Sequence, residues 1–310
     1  MIKVEGLTKH YGKKVAVDAL SFEVQPGIVT GFLGPNGAGK STTMRTIAGL
    51  DEPTSGRVWV NGQEYHKSRV PMAELGILLE AKSVHGGRSA RNHLLALAQT
   101  NGIDSKRVDQ VIEFVGLRQV ARQHAGSFSM GMGQRLGIAA ALLGDPQVVV
   151  LDEPVNGLDP EGVLWVRNSL KALANEGRTV FVSSHLMTEM ALTATHLIVI
   201  GRGHLIADTT VEEFVSRAKT RGVTVRSPDA AMLANLVKMT DGAGVIADAD
   251  DILHVEGLTS EQIGTIAWQN HIRIFELTPQ RSSLEDAFMQ LTHDSVDFRS
   301  EQLEELAVAS

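Results

Sequence analysis

The sequence predicts an α/β protein, with a β-rich subdomain and a helical insert on its core and a small α+β domain appended. Three observations carry that prediction. A glycine-rich loop, Gly34 to Thr42, lies between an apolar β-like run and a helical one. Two more apolar runs, Val148 to Leu151 and Thr179 to Ser184, end in Asp152-Glu153 and in His185. The hydrophobic pattern then restarts around Thr220 to Gly222, as at a domain boundary.

Length and composition set the frame. The 310 residues are enough for two domains, and 43% hydrophobic with 21% charged residues is the balance of an ordinary globular protein. With 29 Lys and Arg against 36 Asp and Glu, the formal charge is −7, which argues against a broad nucleic-acid surface. There is no cysteine, so disulfides and thiolate chemistry are excluded. The N-terminal residues lack the continuous apolar core of a signal peptide. No run approaches the about 20 apolar residues that span a bilayer, so any membrane role is expected to come through a partner.

Taken in order, Ile2 to Leu7 and Ala19 to Val24 read as short strands around a polar turn at Gly12-Lys13-Lys14. Tyr11 precedes that turn. It is placed either to lie flat against a nucleotide base or to finish the strand half-buried. After the turn at Pro26-Gly27, Ile28 to Leu33 is strand-like and leads into Gly34-Pro35-Asn36-Gly37-Ala38-Gly39-Lys40-Ser41-Thr42, the pattern G-x-x-x-x-G-K-[ST]. The glycines let the backbone wrap a polyphosphate with its N–H groups inward. Lys40 can reach the β and γ phosphates, and the Ser41 hydroxyl can sit on Mg2+. Thr42 to Leu50 reads as a helix whose N-terminus favours anions. The fold this predicts is a P-loop NTPase cassette.

Gly56 to Val60 reads as a strand running into a tight turn at Asn61-Gly62, and Leu75 to Leu79 as a strand ending at Glu80. Helical spacing over Ala90 to Asn101 and Ser105 to Val115 suggests an insert over about 81–145. Ser127 to Arg135 then leads into an apolar helix, Leu136 to Leu143, broken at Asp145-Pro146. A fully apolar strand, Val148 to Leu151, delivering Asp152 and Glu153 to its C-terminal end is the pattern of a buried parallel strand with its ligand edge exposed. Beside a phosphate loop, that acid pair suits metal and water. Asn156 to Pro160 is a turn, Glu161 to Asn175 a helix, and Thr179 to Ser184 a strand that places His185 where it can face a γ-phosphate. His196 to Ile200 and His204 to Ala207 form a hairpin, and Val211 to Ala218 a helix. Beyond 219 the expected order is strand 223–227, helix 229–240, strands 244–248 and 252–256, helix 259–270, strand 272–277 and helix 283–292. That βαββαβ order suggests a ferredoxin-like accessory domain over 219–293, followed by an acidic tail, 294–310.

GPNGAGKST, VVVLDEP, NGLDP and SSH, in that order, resemble the ATP-binding cassette ATPases of membrane transporters over about residues 1–218. The resemblance implies that Lys40 and Ser41 hold phosphates and magnesium and that Asp152 holds the metal through its water shell. It makes Glu153 the general base, His185 the switch histidine on the γ-phosphate, and Tyr11 the aromatic on adenine. Asp159 would belong to the loop linking the two sites of a dimer. Phe128-Ser129-Met130-Gly131-Met132 stands at the family signature L-S-G-G-Q, keeping Ser129 and Gly131, which would cap the γ-phosphate from the opposite subunit. The variant looks like cassettes of the bacitracin- and daunorubicin-resistance type of bacterial exporter. Glu80 stands where the family usually has the glutamine of the loop that senses the membrane domain.

The implied protein is an ATPase that binds ATP and Mg2+ and powers export through separately encoded integral membrane subunits, peripheral on the cytoplasmic face. With one phosphate loop and one signature per chain, sandwiching the nucleotide requires a homodimer or a paralogue heterodimer. A soluble cassette acting on ribosomes or nucleic acid is the alternative, and a non-catalytic regulatory module a third. Against them stand the single cassette, the absence of sustained heptads, and the intact Glu153 and His185.

Overall fold

The computed structural model describes residues 1–79, 84–217, 222–280 and 283–292. It divides into two compact units, Met1–Glu212 with the described residues from Leu291 on, and Glu213–Gln290. The boundary expected after Ala218 and the tail 294–310 lie outside the described residues.

The first unit begins with an antiparallel sheet of β1 (Ile2–Tyr11), β2 (Lys14–Val24) and β4 (Ser55–Val60), with β1 in the middle. Both leading strands are longer than the sequence predicts. They run to a turn whose Gly12 takes a positive φ of 60°. Inward residues alternate along them: Ile2 and Val4 on β1, Leu20, Phe22 and Val24 on β2. A second sheet has the order β5-β6-β7-β3-β8-β9. It comprises β3 (Val29–Leu33), β5 (Leu75–Leu78), β6 (Val148–Leu151), β7 (Thr179–Ser183), β8 (His196–Gly201) and β9 (His204–Thr210). Its pairings are parallel except the β8–β9 hairpin. Every residue of β3, β6 and β7 is buried, as parallel strands covered on both faces require. Phe22, Phe32 and Phe181 join the two sheets, with ring centroids 4.9 to 5.8 Å apart.

Of the helices α1 (Lys40–Ile47), α2 (Pro71–Glu74), α3 (Ala90–Thr100), α4 (Ser105–Phe114), α5 (Met130–Leu142), α6 (Pro160–Asn175) and α7 (Met187–Thr193), α2, α5 and α6 pack on this second sheet, α1 on β2 and β4, α3 and α4 on α5, and α7 on α6. Two bounds differ from expectation for physical reasons. α1 stops before Leu50 because Gly49 takes a left-handed φ of 66° just past its end. α5 starts six residues before Leu136, because the Ser129 hydroxyl accepts the Met132 N–H at 3.2 Å and caps the helix there. Glycines 131 and 133 within the first turns do not prevent this.

α8 (Val211–Ser216) precedes a third sheet, β11-β12-β10-β13, made of β10 (Val223–Arg226), β11 (Gly244–Ala249), β12 (Ile252–Glu256) and β13 (Glu276–Pro279). All its pairings are antiparallel. α9 (Ala230–Lys238) and α10 (Ser260–Gln269) share a core with it, including Val223, Val225, Leu233, Val255 and Ile263. α11 (Leu284–Thr292) follows. The last strand starts at Glu276 rather than 272. The intervening backbone is committed elsewhere: Ile272 N–H closes α10 onto Ala267, the Arg273 carbonyl accepts the Ser227 hydroxyl, and Phe275 N–H bonds Arg226.

Candidate active site

The phosphate loop, the acid pair and the histidine leave the sheet at one edge. β7 lies between β6 and β3 in parallel register, so Asp152 follows β6, Gly34 follows β3 and His185 lies just beyond β7 at neighbouring C-terminal strand ends. That is where open α/β sheets bind ligands. An open cleft of about 400 Å³ lies there, lined by Tyr11, the loop from Pro35 to Thr42, Asp152 and Glu153.

The loop needs glycine on steric grounds. A Cβ at Gly34 would come within 2.6 Å of the Ile200 carbonyl, and one at Gly39, with φ of 104°, within 2.6 Å of the Ala16 carbonyl. Gly39 caps α1 without a side chain, so the helix presents its N-terminal N–H groups to whatever the loop holds. Lys40 curls back to donate to the Gly34 and Pro35 carbonyls, and burial lowers its ammonium pKa while Glu153 and Asp152 oppose that shift.

Ser41 Oγ donates to Asp152 Oδ2 at 2.9 Å, and the other Asp152 oxygen accepts from Ser183 Oγ in a short contact. The hydroxyl and carboxylate are hard oxygen donors, the set that Mg2+ takes. Among the described residues no three His, Asp or Glu side chains converge into a metal cage, so a cation here would be shared with phosphate oxygens. Glu153 has a left-handed φ of 50°. Its N–H donates to Ser183 Oγ at 3.0 Å, and its Oε2 lies 2.8 Å from His185 Nδ1.

Tyr11 ends β1, 46% exposed beside the loop, and Lys9 Nζ lies 5.1 Å from its ring centre. Its hydroxyl donates to Asp51 Oδ2 at 2.8 Å, and Arg45 from α1 grips the same carboxylate at 2.7 and 3.3 Å. Ser129 stands exposed at the N-terminus of α5, with Gly131 one residue inside the helix. Asp159 caps α6, its Oδ1 accepting the Gly162 N–H at 2.9 Å. Glu80 lies outside the described residues. The edge thus gathers Tyr11, the loop, Asp152, Glu153 and His185. Ser129 and Asp159 open their own helices.

Sequence reasoning gave no role to Ser183, Gln134 or Asp51. Ser183 was open to inference, because a serine closing a fully buried strand needs a hydrogen-bond partner. Asp51 carried no signal, being 40 residues from Tyr11 in sequence.

A phosphate loop and an acid pair on one parallel-sheet edge define a P-loop nucleotide-binding cassette. Residues 17–156 match the family described as ABC transporter, and residues 221–285 match one described as a domain of unknown function. The chain is 35% identical over 296 residues to the bacitracin transport ATP-binding protein BcrA of Bacillus licheniformis, covering 94% of this chain and 97% of that protein. It is 31% identical over 305 residues to the linearmycin resistance ATP-binding protein LnrL of Bacillus subtilis, covering 94% and 98%. It is 34% identical over 208 residues to the lantibiotic transport ATP-binding protein SrtF of Streptococcus pyogenes, covering 67% and 90%. Among solved structures, cbiO1 of Clostridium perfringens aligns with a TM-score of 0.61 at 27% identity, over 70% of this chain and 90% of that one. The dimeric bacterial cassette MJ0796 shares the fold, with a TM-score of 0.63 at 23% identity over 68% and 98%. The chain belongs to the ABC transporter family and is an ATP-binding, ATP-hydrolysing cassette.

Proposed function

We propose that this cassette powers a bacterial exporter through integral membrane subunits on separate chains, as the transport and resistance names of its relatives suggest. Among the described residues no helix is long and apolar enough to cross a membrane, which fits a subunit held at the cytoplasmic face by its partners. The observation that carries the catalytic reading is the convergence of Lys40, Ser41, Asp152, Glu153 and His185 at one sheet edge, with the Ser41–Asp152 and Glu153–His185 pairs already formed.

In this reading the loop from Gly34 to Thr42 cradles the phosphates and Lys40 turns from the loop carbonyls to the β and γ oxygens. Ser41 and Asp152 hold Mg2+, which neutralises phosphate charge when bound. The Glu153 carboxylate accepts a proton from the attacking water as its oxygen bonds the γ-phosphorus and the bond to the β-phosphate oxygen breaks, giving ADP and phosphate. His185 orients on the γ-phosphate, and Tyr11 stacks on adenine. Ser129 and Gly131 meet the γ-phosphate of a second cassette through the N-terminus of α5, while Asp159 closes the loop between the sites. We read the unit 213–290 as a ferredoxin-like accessory domain that stabilises the dimer or regulates coupling. The test is sedimentation of Glu153→Gln with and without Mg-ATP, followed by co-purification from detergent-solubilised membranes. ATP-dependent dimers and a bound integral membrane protein are expected. A monomer under both conditions would favour a heterodimer with a paralogue, and the absence of any bound membrane protein would contradict the exporter.

A further inference from the structure

We propose that Gln134 is a positioning residue for the base: it ties Glu153 to the signature helix of its own chain, so that Ser129 and Glu153 move as one body. This rests on the reading of Glu153 as base and of Ser129 as the residue offered to a second cassette. Gln134 lies one turn into α5, is only 3% exposed, and donates from Nε2 to the Glu153 carbonyl at 3.1 Å. That carbonyl also accepts the Asn156 N–H at 3.2 Å, closing the turn after the acid pair.

Glu153 is a non-glycine residue in left-handed backbone, a conformation that persists only where surrounding contacts over-determine it. Its N–H is fixed by Ser183, its carboxylate by His185 and its carbonyl by Gln134. Ser183 and His185 belong to the β7 edge. Gln134 belongs to α5, whose N-terminus carries Ser129. The same turn of α5 is seated against the loop that follows Glu153. A Cβ built on Gly157 would lie 2.5 Å from Met130 Cγ and Sδ, and one on Gly131 would lie 3.2 Å from the Gly157 carbonyl. Met130 therefore covers Gly157 with no space to spare, a contact that a glycine at position 130 lacks. A displacement of α5 by a partner cassette is passed to the Glu153 peptide through these contacts, and from there to its carboxylate.

A glutamine that only fills space can be replaced by a residue of its shape. Gln134→Met keeps length and volume and removes the donor. In the full chain we expect kcat for phosphate release to fall about tenfold, the size of effect that small misplacements of a catalytic group produce, with ATP affinity within about twofold. Should Gln134→Met lose its fold, Gln134→Leu, which also removes the donor and brings no buried charge, reads the same split. Glu153→Gln serves as the reference. An inactive Glu153→Gln beside a Gln134 variant with wild-type kcat overturns the positioning role alone. A Glu153→Gln protein that turns over normally removes the assigned base, and the inference with it. Equal losses in ATP affinity and kcat for Gln134→Met would also overturn it, because a positioning residue acts after binding.

Discussion

His185 Nδ1 lies 2.8 Å from Glu153 Oε2, and the His185 backbone N–H donates to the same oxygen at 3.3 Å. An ionised carboxylate only accepts, so Nδ1 carries the proton in this pair and Nε2 is the nitrogen left to face a phosphate. Glu153 and His185 therefore constrain each other's direction. His185→Ala is expected to lower kcat by about 10²-fold, the range for losing a donor aimed at developing phosphate charge, while nucleotide affinity is kept. Single-turnover phosphate release with pre-bound ATP checks this. A wild-type rate would leave the pair structural.

Lys40 acts earlier. Lys40 is half-buried, and its ammonium donates to the Gly34 and Pro35 carbonyls. Lys40→Ala removes a charge-assisted contact of about 1.5–3 kcal/mol, so ATP affinity should drop by about tenfold or more. Equilibrium binding to a fluorescent ATP analogue is the measurement, and unchanged affinity would contradict the cradle.

Tyr11, the proposed adenine platform, is held in place at its hydroxyl. Its hydroxyl is bonded to Asp51, whose carboxyl is kept below the usual carboxylate range, first by the hydrogen bond from Arg45. A depressed carboxyl stabilises the arrangement above its unfolded pKa, and that support is lost as pH falls through the folded value. Asp51→Asn weakens the grip of Arg45 and should raise KM about two- to fivefold with kcat unchanged, a loss of about 1 kcal/mol or less in exposed ion-pair energy. Tyr11→Ala should raise KM further. If Tyr11→Ala binds ATP normally, the aromatic is not a base platform.

Asp159 caps α6 through the Gly162 N–H. Asp159→Ala should cost about 1 kcal/mol of stability, and Asp159→Ser should recover most of it. Thermal melts of the two variants separate this capping from a role between subunits. A dimer-linking role shows as lost ATP-dependent dimerisation in Asp159→Ser as well.

The catalytic edge was legible because each of its parts is local. An apolar run ending in Asp152-Glu153, another ending in His185, and a loop spaced for phosphate each declare their place without tertiary information. Element ends were less legible where a single side chain or glycine decides them, as Ser129 does for α5 and Gly49 for α1. The residues that hold the active groups were hidden for another reason. Gln134 and Glu153 are 19 positions apart, and Ser183 and Asp152 are 31 apart, so their hydrogen bonds exist only once the strands are ordered. The late start of the strand at Glu276 has the same origin, since Ser227 takes up the Arg273 carbonyl from 46 residues away.

The central claim is that Glu153 is the base of an ATP-hydrolysing cassette. Steady-state phosphate release by Glu153→Gln and by the wild-type chain, both at saturating Mg-ATP, tests it most directly. The amide keeps the shape and cannot take the proton of water, so turnover should fall by about 10² to 10⁴ while ATP affinity is unchanged. Turnover of Glu153→Gln at the wild-type rate would contradict the account.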